Sequence, residues 1–133
     1  MRWSPVAVAP ILLVLGCAPA EPDLPALRVF GNEPFWDVVI QTGDEIVYTR
    51  LGEKPVAFAY EVPRTAEGDS KTWVYGPIQT ADGGREIEIR ISPLDCQDTM
   101  ADAVHPMRAA VTVDGEELTG CARRLDDPPP ESP

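Results

Sequence analysis

Along most of the chain, hydrophobic and polar side chains alternate one for one, the period of a strand with one dry face and one wet face. In Glu86-Ile87-Glu88-Ile89-Arg90-Ile91 the isoleucines fall on one side and the charges on the other. The same period predicts strands over Ala26 to Phe30, over Phe35 to Gln41 with Trp36, Val38 and Ile40 sharing a face, and over Glu45 to Arg50. It continues over Val56 to Val62, where Val56, Phe58, Tyr60 and Val62 align, then over Thr72 to Tyr75, Ile78 to Thr80, Met107 to Val113 and Glu117 to Arg123.

Turn signals separate these runs. Thr42-Gly43-Asp44, Asp82-Gly83-Gly84 and Asp114-Gly115 supply the positive φ that tight hairpins need. Around Asp114-Gly115 the pattern predicts a register in which Met107, Ala109, Val111 and Val113 face the core opposite Leu118, Gly120 and Ala122. Helical periodicity is absent except over Leu94 to Val104, which has room for one or two turns. The expected fold class is all-β: a small antiparallel barrel or sandwich of about seven to eight strands, with a disulfide-tethered loop.

The first residues follow a different rule. Arg2 precedes an apolar run from Val6 to Leu15, which has the length of a signal-peptide core and is too short to span a bilayer as a helix. Val14-Leu15-Gly16-Cys17 resembles a bacterial lipobox, in which the cysteine is acylated and becomes the mature N-terminus. The resemblance implies a signal peptide over residues 1–16, lipidation at Cys17 and a Pro-rich tether over residues 17–26. Ala18, where an inner-membrane lipoprotein carries Asp, resembles the sorting signal for the outer membrane, facing the periplasm. An ordinary secretory signal cleaved near Ala18 or Ala20 is the alternative. Each buried methylene is worth about 0.8 kcal/mol, so two or three acyl chains would hold the domain at a membrane essentially permanently. A single β domain over residues 27–125 and a disordered Pro-rich tail over residues 126–133 complete the expected organisation.

Charge narrows the partners. With 22 acidic and 11 basic side chains and a net charge of −11, the chain repels phosphate backbones, and nucleic acid is excluded as a partner class. A basic protein or a cationic ligand is attracted instead. Cysteine usage narrows the compartment: once Cys17 is set aside, Cys96 and Cys121 form an even pair in an exported chain, which favours a disulfide. Closing that loop stabilises the domain by about 3–4 kcal/mol on the chain-entropy account.

Gly31-Asn32-Glu33-Pro34-Phe35-Trp36, followed by Cys96-x-Asp98-x-Met100-x-Asp102 and by Gly120-Cys121-Ala122, resembles an uncharacterised family of bacterial envelope lipoproteins. In that family, motifs of GNEPFW type and of C-x-D-G-M-S-D, YP and GCA type bracket a small β domain. Relatives occur beside META-type heat-shock modules and c-type lysozyme-inhibitor modules, which implies an envelope or stress setting. This chain departs from the pattern with Thr99 and Ala101 where Gly and Ser are usual, and with His105 in place of Tyr before Pro106.

Two stretches carry candidate chemistry. In the first, Glu33 and the edge of Trp36 could line a groove for a cation or a sugar face; the plainer reading is a tight turn whose aromatics plug one end of the barrel. In the second, Asp98, Met100, Asp102 and His105 share a loop with Cys96. A blue-copper site needs two histidines and a free thiolate, and the chain has 1 histidine. Zinc would need reduced cysteines, and calcium through Asp95, Asp98 and Asp102 does not follow EF-hand spacing. The plainer reading has Asp98 and Asp102 capping backbone N–H groups while Met100 packs inward.

For catalysis, neither Ser70 nor Ser92 sits in a nucleophile turn that would use His105, and the paired carboxylates have little room for a sugar groove. The expectation is a lipid-anchored, non-catalytic cell-envelope protein with a binding or stress-protection role and no cofactor. Inhibition of a basic muralytic enzyme such as lysozyme is a special case of that role. The alternative is a metal- or small-ligand-binding module built on residues 95–105.

Overall fold

The Asp114-Gly115 turn, with φ of 49° and 85°, joins two strands in the anticipated register: Val113 pairs with Glu116, Val111 with Leu118, Ala109 with Gly120 and Met107 with Ala122. Two successive positive φ values match the twist of the flanking strands, which is why Asp-Gly closes a two-residue hairpin here. This is a computed structural model, describing residues 2–13, 16 and 24–128.

The strands are β1 (Leu27–Asn32), β2 (Phe35–Ile40), β3 (Glu45–Arg50), β4 (Val56–Ala59), β5 (Arg64–Ala66), β6 (Asp69–Gln79), β7 (Glu86–Ser92), β8 (Cys96–Asp98), β9 (Ala103–His105), β10 (Met107–Val113) and β11 (Glu116–Arg124). Nine form one antiparallel sheet in the order β4-β3-β2-β1-β11-β10-β7-β6-β5, and β8 and β9 form a separate hairpin. Antiparallel pairing of β1 with β11 brings the two ends of the domain side by side.

The nine-stranded sheet curls into a half-barrel. Residues 60–63 carry the chain from β4 at one edge to β5 at the other, and five Cα steps reach at most about 18 Å. β4 accordingly packs against β6, and the Tyr60 and Tyr75 rings meet edge to face at 6.4 Å. The inner face is filled by the alternating residues: Val29 from β1, Val38 and Ile40 from β2, Tyr48 from β3, Phe58 from β4, the three isoleucines of β7, and Val111 and Leu118 from the last hairpin. At about 25 cal/mol per Å² of apolar surface, this burial is the main driving term for the fold.

Four local expectations change. Thr72 to Tyr75 and Ile78 to Thr80 belong to one strand, β6, with a bulge: Tyr75 pairs with Ile89 and Ile78 with Ile87, so Gly76 and Pro77 are accommodated without breaking the ladder. Gly76, at φ 87°, has no room for a β-carbon, which would fall 2.7 Å from the Ile87 carbonyl oxygen. The strand expected over Val56 to Val62 ends at Ala59, leaving Val62 exposed. Residues 94–104 form no helix; the β8–β9 hairpin occupies them, and strand β5 was not anticipated. The sheet has one strand more than the seven to eight expected, because β5, too short to show a period, joins its edge, while β8 and β9 pair separately.

Residues 2–13 form neither helix nor strand, and Val6, Ile11, Leu12 and Leu13 stay exposed outside the core. Among the described residues no helix is long and apolar enough to cross a membrane. Cys17, most of the tether and residues 129–133 of the tail lie outside the described residues.

Candidate functional site

Strand alternation puts Leu27, Val29 and Gly31 of β1 on the inner face and Arg28, Phe30 and Asn32 on the outer one. Phe30 pairs directly across from Cys121 of β11, and Arg28 from Arg123. A phenylalanine on the outer face needs a cover, and the β8–β9 hairpin supplies it. The Cys96–Cys121 disulfide, with its Cα atoms 5.5 Å apart, fixes the hairpin to β11. At the entry to the hairpin, the Arg108 Nε–H donates to the Asp95 carbonyl at 2.8 Å.

Under the hairpin, His105 is 5% exposed, and its ring meets Phe30 edge to face at 4.7 Å. The Arg28 guanidinium also lies over the Phe30 ring, 5.3 Å from its centroid, so the same benzene ring meets a cation and an imidazole. His105 Nε2 faces Asp98 Oδ2 at 4.0 Å, too long for a hydrogen bond, and Nδ1 is buried with no partner. Burial pushes the imidazole below its ordinary pKa; Asp98 opposes that shift, while Arg123 and Arg28 add to it. The pocket therefore favours the neutral imidazole over the charged one.

Asp98 is the node of the hairpin. Its Oδ1 accepts from the Asn32 side-chain amide at 2.5 Å and from the main-chain N–H groups of Met100 at 3.1 Å and Ala101 at 3.4 Å. Its side chain is 9% exposed, yet it reaches an open groove of about 540 Å³ between the Asn32-Glu33 turn and the hairpin. Glu33, Met100, Arg108 and both disulfide cysteines also line that groove.

The structure thus brings together Glu33, Asp98 and Met100 around the groove, with His105 behind Asp98. Met100 is 61% exposed on the rim, where inward packing was expected. Asp102 is exposed at the hairpin tip with φ 50°, so of the two aspartates Asp98 is the one that caps backbone N–H groups. Trp36 stands apart from Glu33: it is 4% exposed and belongs to the inner core. It lies against two glycines, since a β-carbon at Gly31 would overlap the indole and one at Gly120 would strike the Phe30 carbonyl oxygen. The glycines of the GNEPFW and GCA stretches are explained by this close approach.

Asn32, Phe30 and Arg108 were missed. Phe30 was legible as an apolar residue on the polar side of its strand, and Asn32 followed it on that same side. Among the described residues no group of three His, Cys, Asp or Glu side chains converges as a metal site. The Ser92 hydroxyl is paired with Thr72 at 3.1 Å. Compared with known proteins, the chain matches no protein-family model, no curated protein and no solved structure.

Proposed function

We propose that the protein is a lipid-anchored, non-catalytic module of the cell envelope that binds a basic protein partner through the groove beside the stapled hairpin. The single observation that carries the reading is the hairpin itself. Eleven residues from Asp95 to His105 contribute little to the half-barrel core, yet they are held to its outer face by a disulfide, by Asn32 and by Arg108. A covalent staple on a peripheral element preserves a surface in an oxidising compartment. Two further features support the reading. The described part of the apolar run, residues 6–13, is left out of the core, as an export signal is, and the net charge of −11 favours encounter with a basic surface. On this reading Cys17 carries the acyl chains and the domain faces the periplasm from the outer membrane.

Inhibition of a basic muralytic enzyme such as lysozyme is the specific form of this role. The test is turbidity of a peptidoglycan suspension treated with lysozyme, with and without an excess of the full chain carrying Cys17→Ser. Protection that saturates with added protein is expected. Digestion at an unchanged rate under a large excess would remove the inhibitor reading. The metal-binding alternative draws less support, because the disulfide has taken up the two thiolates that would anchor a soft metal.

A further inference from the structure

We infer that the β8–β9 hairpin is an acid-operated flap: a proton taken up by His105 lifts it from Phe30, with the Cys96–Cys121 disulfide as the hinge, and so takes down one wall of the groove. The flap stands on its own geometry and does not need the reading of the groove as a binding face. Strand alternation turns Cys96, Asp98, Ala103 and His105 toward the half-barrel and Gln97 and Val104 toward water. Among the described residues, the core cluster of the half-barrel takes none of these side chains. An element held by so little apolar contact opens at a fraction of the cost of global unfolding, and two three-residue strands do not keep their ladder once lifted.

The charge on His105 works against closure. A neutral imidazole has one N–H, whereas in the imidazolium both nitrogens donate. Under the closed hairpin Nδ1 is buried with no partner, so a proton there meets no acceptor. Nε2 has Asp98 Oδ2 at 4.0 Å, but three donors on Oδ1 hold that carboxylate and Phe30 holds the ring, so the gap closes only by repacking. The charged groups facing the imidazole are Asp98 from β8, Arg28 from β1 and Arg123 from β11, two cations against one anion. Burial, the largest effect on the ring, adds to the cations, and water solvates the charged form better than this pocket does. Lifting the hairpin gives both nitrogens water. The disulfide keeps the flap attached, so it recloses when the proton leaves.

The test is hydrogen exchange followed by NMR on the full chain carrying Cys17→Ser, at about pH 7.5 and about pH 5, with each rate corrected for the intrinsic effect of pH. The open form protonates with an ordinary value of about 6.5 and the closed form lower, so opening gains as pH falls below that value, by at most about thirtyfold at pH 5. Protection at residues 96–98 and 103–105 should therefore fall severalfold or more in acid while β10 keeps its own. His105→Phe should make hairpin protection indifferent to pH, and His105→Gln, which also does not titrate, repeats the comparison should phenylalanine disturb the fit. Arg28→Gln, by removing one of the two cations, should make the acid loss smaller. An equal acid loss in both His105 variants, a fall shared equally by β10, or protection that rises in acid would overturn the flap. The readout needs no partner: a flap that opens while lysozyme digests peptidoglycan at an unchanged rate leaves this inference standing and removes the inhibitor reading, and protection of peptidoglycan by a hairpin indifferent to acid does the reverse.

Discussion

The Asn32 side-chain amide donates to Asp98 Oδ1 at 2.5 Å, joining residues 66 apart in sequence and tying the hairpin to the turn that follows β1. The amide is the side-chain link between the two walls of the groove. Asn32→Ala leaves Oδ1 with its two main-chain donors only, and should cost about 1–2 kcal/mol in urea unfolding. Hydrogen exchange at Met100 and Ala101 should rise with it, while exchange in β10 stays slow.

Trp36 and Gly120 make a second cross-chain fit. Gly120→Ala drives a β-carbon into the Phe30 carbonyl and toward the indole, so β1 must move away from β11. Overpacking of this kind costs about 3 kcal/mol, at the upper end of the usual range, because backbone rather than a flexible side chain is in the way. Thermal unfolding followed by Trp fluorescence checks it; a midpoint equal to the wild type would show that the close approach is not real.

Reduction acts locally first. Opening the Cys96–Cys121 bond, whose ends are 25 residues apart in sequence, should lower stability by about 3.5 kcal/mol on the chain-entropy account. The double substitution Cys96→Ser, Cys121→Ser should keep the far-ultraviolet signature of the nine-stranded sheet while amides of residues 96–105 lose protection from exchange.

Acidification should weaken the domain through His105. Its folded pKa is depressed, by burial first and by Arg123 and Arg28 next, with Asp98 opposing. The unfolded chain therefore takes up a proton at a pH where the folded chain does not. The stabilising contribution is complete above the unfolded value of about 6.5 and is lost as pH falls from there through the folded pKa. His105→Phe keeps a ring against Phe30 and removes the titration. Urea midpoints at about pH 7.5 and about pH 5 should converge for this variant relative to the wild type. An equal acid loss in both proteins would place the effect elsewhere.

Much of the half-barrel was readable because its strands alternate strictly and its turns carry glycine. The isoleucines of β7 and the register of β10 with β11 needed no information beyond their own segments. The disulfide was expected from the even pair of cysteines left once Cys17 is set aside and the leader is read as an export signal. Strands β5, β8 and β9 were not readable because three residues hold no period, and the bulge at Gly76-Pro77 looked like a break between two strands. The placement of the hairpin over Phe30 is a long-range fact, and so is the meeting of Asn32 with Asp98. Trp36 could be read locally as a plug for the barrel or as one wall of a groove beside Glu33; its partners are two glycines, one of them far along the chain.

The central claim is that the stapled hairpin and the Glu33 turn form a binding face for a basic protein. Its most direct measurement is the affinity of the full chain carrying Cys17→Ser for lysozyme, compared with the same chain also carrying Glu33→Lys, a reversal at an exposed position that leaves the core untouched. Saturable binding, weakened about tenfold or more by the reversal and more sensitive to salt in the parent than in the variant, is the expected result. Equal affinities for the two chains, or no binding by either, would contradict it.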